Sequence, residues 1–123
     1  MKKLVLPVLI VCSLLSCKDN TVSSNVSACG VNDPIRNLPW LKNLIEKAID
    51  DKEANMLTVT LLEFKGRPIL NYSTLYMSCY GCINYECDGS RVDISKFPEQ
   101  ELKEFQALIN DTSGKKTILW PEK

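Results

Sequence analysis

The fold is decided by residues 57–77, which read LTVTLLEFKGRPILNYSTLYM. Side chains alternate between two faces along residues 57–64, as expected of a β-strand. Residues 65–68 (Lys-Gly-Arg-Pro) are typical of a turn, and residues 69–77 form a second predicted strand. Two such strands joined by a short turn predict an antiparallel hairpin. The side chains that share a face within each strand are Leu57, Val59 and Leu61, and then Leu70, Tyr72 and Tyr76.

Helical patterns lie on both sides of this hairpin. Residues 39–54 predict a helix, because Pro39 suits the first helical position and apolar residues recur every three or four positions. Those apolar residues are Leu41, Leu44, Ile45, Ala48 and Ile49. Residues 98–110 predict a later helix whose first turn is acidic, as the helix dipole favours.

Two shorter patterns complete the set of elements. Residues 85–92 predict a second hairpin, in which Asp88-Gly89 favours a tight primed turn. Residues 116–120 predict a last strand. The order of elements predicts an α+β domain, in which a small antiparallel sheet packs against the N-terminal helix and the later helix.

The N-terminus reads as an export signal. Lys2 and Lys3 supply positive charge, and residues 4–15 form an apolar run interrupted only by Pro7 and Ser13. This run is too short to span a bilayer as a permanent helix, which takes about 20 residues. We therefore expect residues 1–16 to be a signal peptide.

The sequence that follows predicts a lipid anchor. Leu-Leu-Ser-Cys at residues 14–17 resembles the lipobox of bacterial lipoproteins, in which the cysteine is lipidated after cleavage. Two or three acyl chains, such as palmitate, on Cys17 would anchor the protein far more firmly than a single chain. Residues 18–28 are polar and Ser/Asn-rich and predict a flexible tether, while Lys18-Asp19 resembles an export signal to the outer face. Residues 29–123 then form one domain in the cell envelope, at the outer membrane, on its periplasmic or its surface side.

Four further cysteines remain after processing. They are Cys29, Cys79, Cys82 and Cys87. An even number of cysteines in a small exported domain predicts two disulfides. We expect one long-range bond from Cys29 to the cluster of the other three, and one bond within that cluster. A bond that closes a loop of about 50 residues contributes on the order of 4 kcal/mol in the chain-entropy treatment, so the domain is expected to be disulfide-stapled.

Two other uses of these cysteines stay open. Cys79 and Cys82 form a CxxC motif, but redox motifs of this kind use a following helix N-terminus, whereas residues 83–89 read as strand and turn. A zinc site would have the right ligand type, but one CxxC with two scattered cysteines does not match the spacing of zinc knuckles. We predict no metal site.

The composition argues against several classes of function. The chain has no histidine, which removes Ser-His and Cys-His catalysis, and no glycine-rich phosphate loop. We predict no cofactor. Removing Lys2 and Lys3 leaves 13 basic and 15 acidic side chains, which argues against nucleic acid as a partner. Glu63, Glu86 and Asp88 are the carboxylates nearest the sheet, and we interpret them as solvated residues rather than a glycosidase pair.

One family resemblance covers most of residues 29–93. Cys29-Gly30-Val31, Asp33-Pro34 and Leu-Pro-Trp-Leu-Lys at residues 38–42 resemble the opening of a group of small Bacteroidota-type lipoproteins without an established activity. The Cys-Asp-Gly turn at residues 87–89 and the closing Ile-Leu-Trp are similar to theirs. This chain departs from the group after Gly89, where it lacks a glycine-rich stretch with a further cysteine. The resemblance implies location and domain type, and no chemistry.

These observations favour a lipid-anchored, non-enzymatic binding or interaction module. Its partner would be a protein or a glycan, and an inhibitor of a hydrolase falls within this class. Four tyrosines of the strand region either pack within the sheet or form an aromatic contact surface. They are Tyr72, Tyr76, Tyr80 and Tyr85. The alternative is a thiol–disulfide oxidoreductase that uses Cys79 and Cys82.

Overall fold

The computed structural model describes residues 26–79, 81–111 and 116–121. The predicted signal peptide, Cys17, the tether as far as residue 25, and Tyr80 lie outside the described residues. Residues 26–28, which the sequence assigned to the tether, are part of the fold, because Val26 packs against the core and its carbonyl accepts a hydrogen bond from the Asp33 N–H. The folded part therefore begins at or before Val26 rather than at Cys29.

The described residues form an α+β domain, as predicted. The helices are α1 (Pro34–Asn37), α2 (Pro39–Asp50) and α3 (Glu99–Asn110), with a 3-10 turn at Ile94–Lys96. The strands are β1 (Ser27–Ala28), β2 (Val31–Asn32), β3 (Leu57–Phe64), β4 (Arg67–Thr74), β5 (Asn84–Tyr85) and β6 (Thr117–Trp120). β1 and β2 pair as a separate small ribbon, and the other strands form an antiparallel sheet in the order β5-β4-β3-β6.

Helices cover both faces of this sheet. Leu57 and Val59 of β3 pack in one core cluster with residues of α2, and Leu62 and Phe64 pack in a second cluster with residues of α3. Because successive side chains of a strand point to opposite faces, the two clusters lie on opposite sides of β3. The helix residues buried in the clusters are Leu41, Ile45 and Ala48 of α2, and Phe105 and Ile109 of α3. The predicted packing of the sheet against both helices is confirmed.

Helix α2 ends four residues earlier than predicted. The Lys52 N–H donates to the Ile49 carbonyl and the Glu53 N–H donates to the Ala48 carbonyl, which is the hydrogen-bond pattern of a Schellman ending. Lys52 adopts the left-handed conformation that this ending requires, with φ 59°. Glycine usually occupies that position, so the sequence carried no signal for the ending.

The second predicted strand starts and ends earlier than expected. β4 covers Arg67–Thr74, and a tight turn follows, in which the Met77 N–H donates to the Thr74 carbonyl at 3.1 Å. Leu70 and Tyr72 share the face turned toward α2, as predicted. Tyr76 does not, because it lies beyond the strand.

The predicted hairpin at residues 85–92 is present in reduced form. β5 pairs with Arg91 only through an isolated bridge from Tyr85. The Gly89 N–H donates to the Glu86 carbonyl, and within the turn only Gly89 has a positive φ, of 86°. The prediction of a primed turn centred on Asp88-Gly89 was therefore wrong. The turn has a three-residue loop that ends on a glycine in the left-handed conformation.

Strand β6 carries a bulge beside the centre of the sheet. Val59 pairs with Trp120 and Thr60 pairs with Ile118, so that Leu119 is the extra residue. A bulge lets neighbouring side chains point to the same face. Leu119 and Trp120 accordingly pack against the same core cluster, and Ile118 stays exposed.

Candidate functional site

The central hairpin gives the domain two ends. Ser27–Cys29 border the same depression, of about 240 Å³, as Leu61–Glu63 and the turn residue Gly66, so the described chain enters at the β3–β4 turn. The other end is marked by Thr74, the last residue of β4. The strands β3 and β4 have eight residues each, and the seven steps from first to last residue separate the two ends by roughly 24 Å at ~3.4 Å per step. We call the end at the β3–β4 turn the proximal end and the end at Thr74 the distal end.

The long-range disulfide lies at the proximal side of the domain. Cys29 pairs with Cys87, with a Cα–Cα distance of 5.3 Å and a sequence separation of 58. The Trp40 indole N–H donates to the Cys87 carbonyl at 2.9 Å, and the Trp40 ring centroid lies 5.2 Å from that of Tyr85. The predicted bond from Cys29 to the cysteine cluster is confirmed, and Trp40 packs over the turn that carries Cys87.

The described tyrosines of the strand region are divided between the two alternatives, core packing and exposure. Tyr72 and Tyr85 are half-buried and pack against the core cluster beside α2. Burial raises the pKa of the Tyr72 phenol, and the nearby hydroxyls of Tyr76 and Tyr85 and the Glu53 carboxylate raise it further. Tyr76 is 62% exposed, and its hydroxyl donates to the Glu53 carboxylate at 3.0 Å. Among the described tyrosines, Tyr76 alone presents most of its ring to solvent.

An exposed leucine precedes Tyr76 and was missed by the sequence analysis. The Leu75 side chain is 82% exposed. Its backbone is held in place, because the Leu75 N–H donates to the Met56 carbonyl at 3.1 Å. The sequence predicts Leu75 within a strand of residues 69–77, where a leucine is expected to point toward a buried face of the sheet. We call Leu75 and Tyr76 together the distal patch.

The second disulfide forms a small loop that begins three residues after the distal patch in the sequence. Cys79 pairs with Cys82 at a Cα–Cα distance of 5.4 Å, which confirms the predicted bond within the cluster. Cys79 is exposed and Cys82 is half-buried. The loop forms one wall of a cleft of about 350 Å³, and α3 forms another. The described residues that border the cleft are Ser78, Cys79, Gly81, Cys82, Ile94, Phe105, Gln106, Ile109 and Asn110.

Two buried asparagines hold this loop to the sheet. The Asn71 side chain donates to the side-chain carbonyl of Asn84 at 2.9 Å, and the Asn84 side chain donates to the Gly81 carbonyl at 2.7 Å. Buried amides need such partners, because leaving one unpaired costs about 1–3 kcal/mol. Gly81 lies so close to α3 that an added Cβ would be 2.8 Å from the Ile109 Cδ1. Gly81 therefore has a defined position between β5 and α3.

The surroundings of the loop differ from those of redox-active CxxC motifs. β5 follows Cys82, so the helix N-terminus that lowers thiol pKa in such motifs is not supplied by the next element. Two cations lie nearby. The Arg91 guanidinium is 3.5 Å from the Cys82 carbonyl oxygen, and the Lys116 ammonium donates to the Ile109 carbonyl at the end of α3.

Of the three carboxylates near the sheet, Glu63 is exposed, and Glu86 and Asp88 each have a partner of their own. Glu86 makes an ion pair with Arg67 at 3.2 Å. Asp88 accepts hydrogen bonds from the hydroxyl and the N–H of Ser90, and these bonds hold the pKa of that carboxyl below its usual value of 3.8. Across the described ranges, no group of three or more metal-ligating side chains converges. None of the described helices combines the length and the hydrophobicity that a membrane-spanning segment needs.

Comparison of the chain with protein-family models, with curated proteins and with solved structures found no match. The resemblance to Bacteroidota-type lipoproteins therefore stays a prediction from the sequence motifs alone.

Proposed function

We propose that this protein is a lipid-anchored binding module of the bacterial cell envelope, held at Cys17 on the outer membrane, that contacts a protein partner through the distal patch. The observation that carries the proposal is the position of that patch. Leu75 and Tyr76 are exposed by 82% and 62% at the end of the sheet opposite to where the chain enters.

A tether attached at the proximal end would direct the distal end away from the membrane. A lipid on Cys17 would lie just ahead of residues 18–25, and the chain reaches the fold at Val26. The distal patch would then stand up to the length of the hairpin, roughly 24 Å, above the point of attachment. This orientation suits contact with a partner rather than insertion of Leu75 into the lipid.

The patch is also held ready for contact. The Leu75 N–H is bonded to Met56, the Met77 N–H to Thr74, and the Tyr76 hydroxyl to Glu53. A side chain that is already ordered loses less entropy on binding. Tyrosine is common among the residues that dominate binding energy. An exposed leucine favours a protein partner over a glycan, because its side chain is apolar and forms no hydrogen bond with sugar hydroxyls.

Site-specific photocrosslinking in intact cells tests the proposal. A photoreactive phenylalanine analogue replaces Leu75 in the full-length protein, and the adducts are separated on a gel and identified by mass spectrometry. We expect one dominant protein adduct. The matched control carries the analogue at Ile118, which is 51% exposed on β6 and outside the patch, and should not yield that adduct.

Affinity gives the second measurement. Leu75→Ser combined with Tyr76→Ser should weaken binding to the identified partner at least tenfold, because both apolar contacts are lost. Ile118→Ser should leave binding unchanged. Equal adducts at both positions, or unchanged binding of the double variant, would refute the distal patch as the contact surface.

The anchor is tested separately by cell fractionation. The parent protein should sediment with membranes, and Cys17→Ser should remain in the uncleaved or soluble form without acyl chains. Detection of an unmodified Cys17 in the mature parent protein by mass spectrometry would contradict the anchor while leaving the distal patch to be judged by crosslinking.

A second candidate function is thiol–disulfide exchange at Cys79 and Cys82. The observation that favours it is the exposure of Cys79 beside the cleft. Reduction of insulin by the pre-reduced protein, with Cys79→Ser as the control, measures turnover. Because no helix N-terminus follows the pair, we expect turnover to be slow compared with dedicated oxidoreductases.

A further inference from the structure

We propose that the Cys79–Cys82 disulfide is a thiol-accepting site, which captures a cysteine-containing peptide through its sulfur and holds an apolar side chain of that peptide in the adjoining cleft. The inference uses the same cysteines as the second candidate function and does not depend on the distal patch. It specifies the direction of the exchange, from an incoming thiol to the domain disulfide, as well as the sulfur atom that reacts and the class of substrate.

The direction follows from the oxidised state of the pair and from access. Cys79 and Cys82 are joined in the structure, so the loop presents a disulfide that an incoming thiol can attack. Thiol–disulfide exchange depends on which sulfur can be reached. Cys79 is exposed and Cys82 is half-buried against the cleft, which makes the Cys79 sulfur the acceptor.

The other disulfide provides the contrast. Cys29 is half-buried and packs against the core cluster, and Cys87 lies in the turn to which Trp40 donates its hydrogen bond. An attacking thiol would have to displace this packing. Exchange is therefore expected at Cys79 and not at Cys29 or Cys87.

The chemical step balances without another reactant. The peptide thiol loses its proton to solvent, and its thiolate attacks the Cys79 sulfur. A new disulfide forms between the peptide and Cys79, the Cys79–Cys82 bond breaks, and Cys82 departs with the electron pair as a thiolate that takes up a proton. If the peptide carries a second thiol, the thiolate of that group can attack the sulfur of the first peptide cysteine in the mixed disulfide. The peptide then leaves with an internal disulfide, and both Cys79 and Cys82 are left reduced.

Local charge assists the departure of Cys82. The Arg91 guanidinium, 3.5 Å from the Cys82 carbonyl oxygen, brings positive charge to that residue. The Lys116 ammonium donates a hydrogen bond to the Ile109 carbonyl, and its positive charge offsets the negative end of the α3 dipole beside the cleft. A positively charged neighbourhood favours a thiolate.

The cleft sets the preference for the peptide. Its floor is apolar, formed by Ile94, Phe105 and Ile109, and its rim on α3 carries the neutral amides Gln106 and Asn110. A volume of about 350 Å³ is at the small end of ligand sites, which suits one or two apolar side chains. The described lining has no carboxylate or ammonium group, so we expect a neutral, apolar residue next to the peptide cysteine.

The experiment compares two peptides on the purified, oxidised full-length protein. The acetylated and amidated probes are Gly-Leu-Cys-Leu-Gly and Gly-Ser-Cys-Ser-Gly, whose cysteines differ only in their neighbours. Mixed-disulfide formation is followed by mass spectrometry under non-reducing conditions, and the modified cysteine is mapped by proteolysis. We expect adducts on Cys79, formed about tenfold faster with the leucine peptide, as burial of roughly one leucine side chain would give.

Two variants separate the cleft from general reactivity. Asn110→Trp places a large ring on the exposed rim of the cleft and should remove the difference between the peptides while Cys79 still reacts. Arg91→Gln should slow both peptides equally, and Arg91→Lys should restore most of the rate. Equal rates of the two peptides on the parent protein, adducts on Cys29 or Cys87, or no adduct at all would each overturn the proposal.

Discussion

The two ends of the domain are constrained in different ways. At the proximal end, Cys29–Cys87 joins residues 58 apart in sequence, Trp40 is bonded to the Cys87 carbonyl, and Arg67 pairs with Glu86. At the distal end, Cys79–Cys82 spans a sequence separation of 3 and lies beside an open cleft and an exposed patch. The long-range disulfide lies where the described chain enters, and the short-range disulfide and the distal patch lie at the other end.

The comparison shows that the same residue type serves two physical purposes. A disulfide stabilises a fold mainly by restricting the unfolded chain, and the effect grows with the length of the loop that it closes. Cys29–Cys87 closes a loop that contains β2, α1, α2, β3, β4 and β5, whereas Cys79–Cys82 closes a loop with a sequence separation of 3. The first bond is therefore expected to govern stability, and the second to shape a local surface.

The largest expected effect on stability comes from removing the disulfides one at a time. Cys29→Ser with Cys87→Ser should lower the free energy of unfolding by about 4 kcal/mol, and Cys79→Ser with Cys82→Ser by about 1.5 kcal/mol, as chain entropy requires for the two loop lengths. Urea unfolding followed by tryptophan fluorescence measures both. Equal losses would break the distinction between the two ends.

The next largest effect on stability is expected at the two glycines where an added Cβ would meet a neighbouring side chain. Gly89→Ala at the proximal end should cost about 3 kcal/mol, because Gly89 has a φ of 86° and an added Cβ would lie 2.8 Å from the Trp40 ring. Gly81→Ala at the distal end should cost less, about 2 kcal/mol, because Gly81 needs no positive φ, although an added Cβ would lie 2.8 Å from Cδ1 and 3.1 Å from Cγ2 of Ile109. Thermal unfolding of both variants makes the test. A larger loss at Gly81 would indicate that the distal loop is the more rigid of the two.

The smallest effect concerns the charge of the turn after Cys87. Hydrogen bonds from Ser90 lower the pKa of Asp88, so Asp88 stabilises the fold above its unfolded-state pKa, and this contribution disappears as the pH falls through the folded-state pKa. Ser90→Ala should raise the pKa of Asp88 toward 3.8, as followed by carboxyl NMR. Its deficit in stability should be greatest near neutral pH and vanish in acid. The control is Ser95→Ala, which should shift the pKa of Asp93 and leave Asp88 unchanged.

The residues around α2 show how far the sequence could predict the fold. Pro39 and the apolar spacing located the start and the buried face of the helix, because both act within a few residues. The end at Asp50 could not be predicted, since Lys52 occupies a left-handed position that glycine normally signals. The alternation in residues 57–64 likewise gave β3 its limits. β4 ends early because the chain turns, with the Met77 N–H bonded to the Thr74 carbonyl, and residues 74–77 contain no glycine or proline that would signal this turn.

The candidate site was predicted in its chemistry and not in its shape. The even number of cysteines indicated two disulfides, with one long and one local bond. The exposure of Leu75 and the burial of Tyr72 depend on which segments pack over them, and no local pattern encodes that. The cleft arises because Gly81 lies against Ile109, which are far apart in sequence.

The sequence by itself determined the hairpin, the two long helices, the α+β class and the presence of one long and one local disulfide. These follow from periodicity, turn residues and residue counts, which act over short stretches of chain. Only the tertiary structure decided that Cys29 meets Cys87, that α2 and α3 cover opposite faces, and that one disulfide borders a cleft. Such features depend on contacts between distant segments, whose free energies are set by packing rather than by the preferences of neighbouring residues.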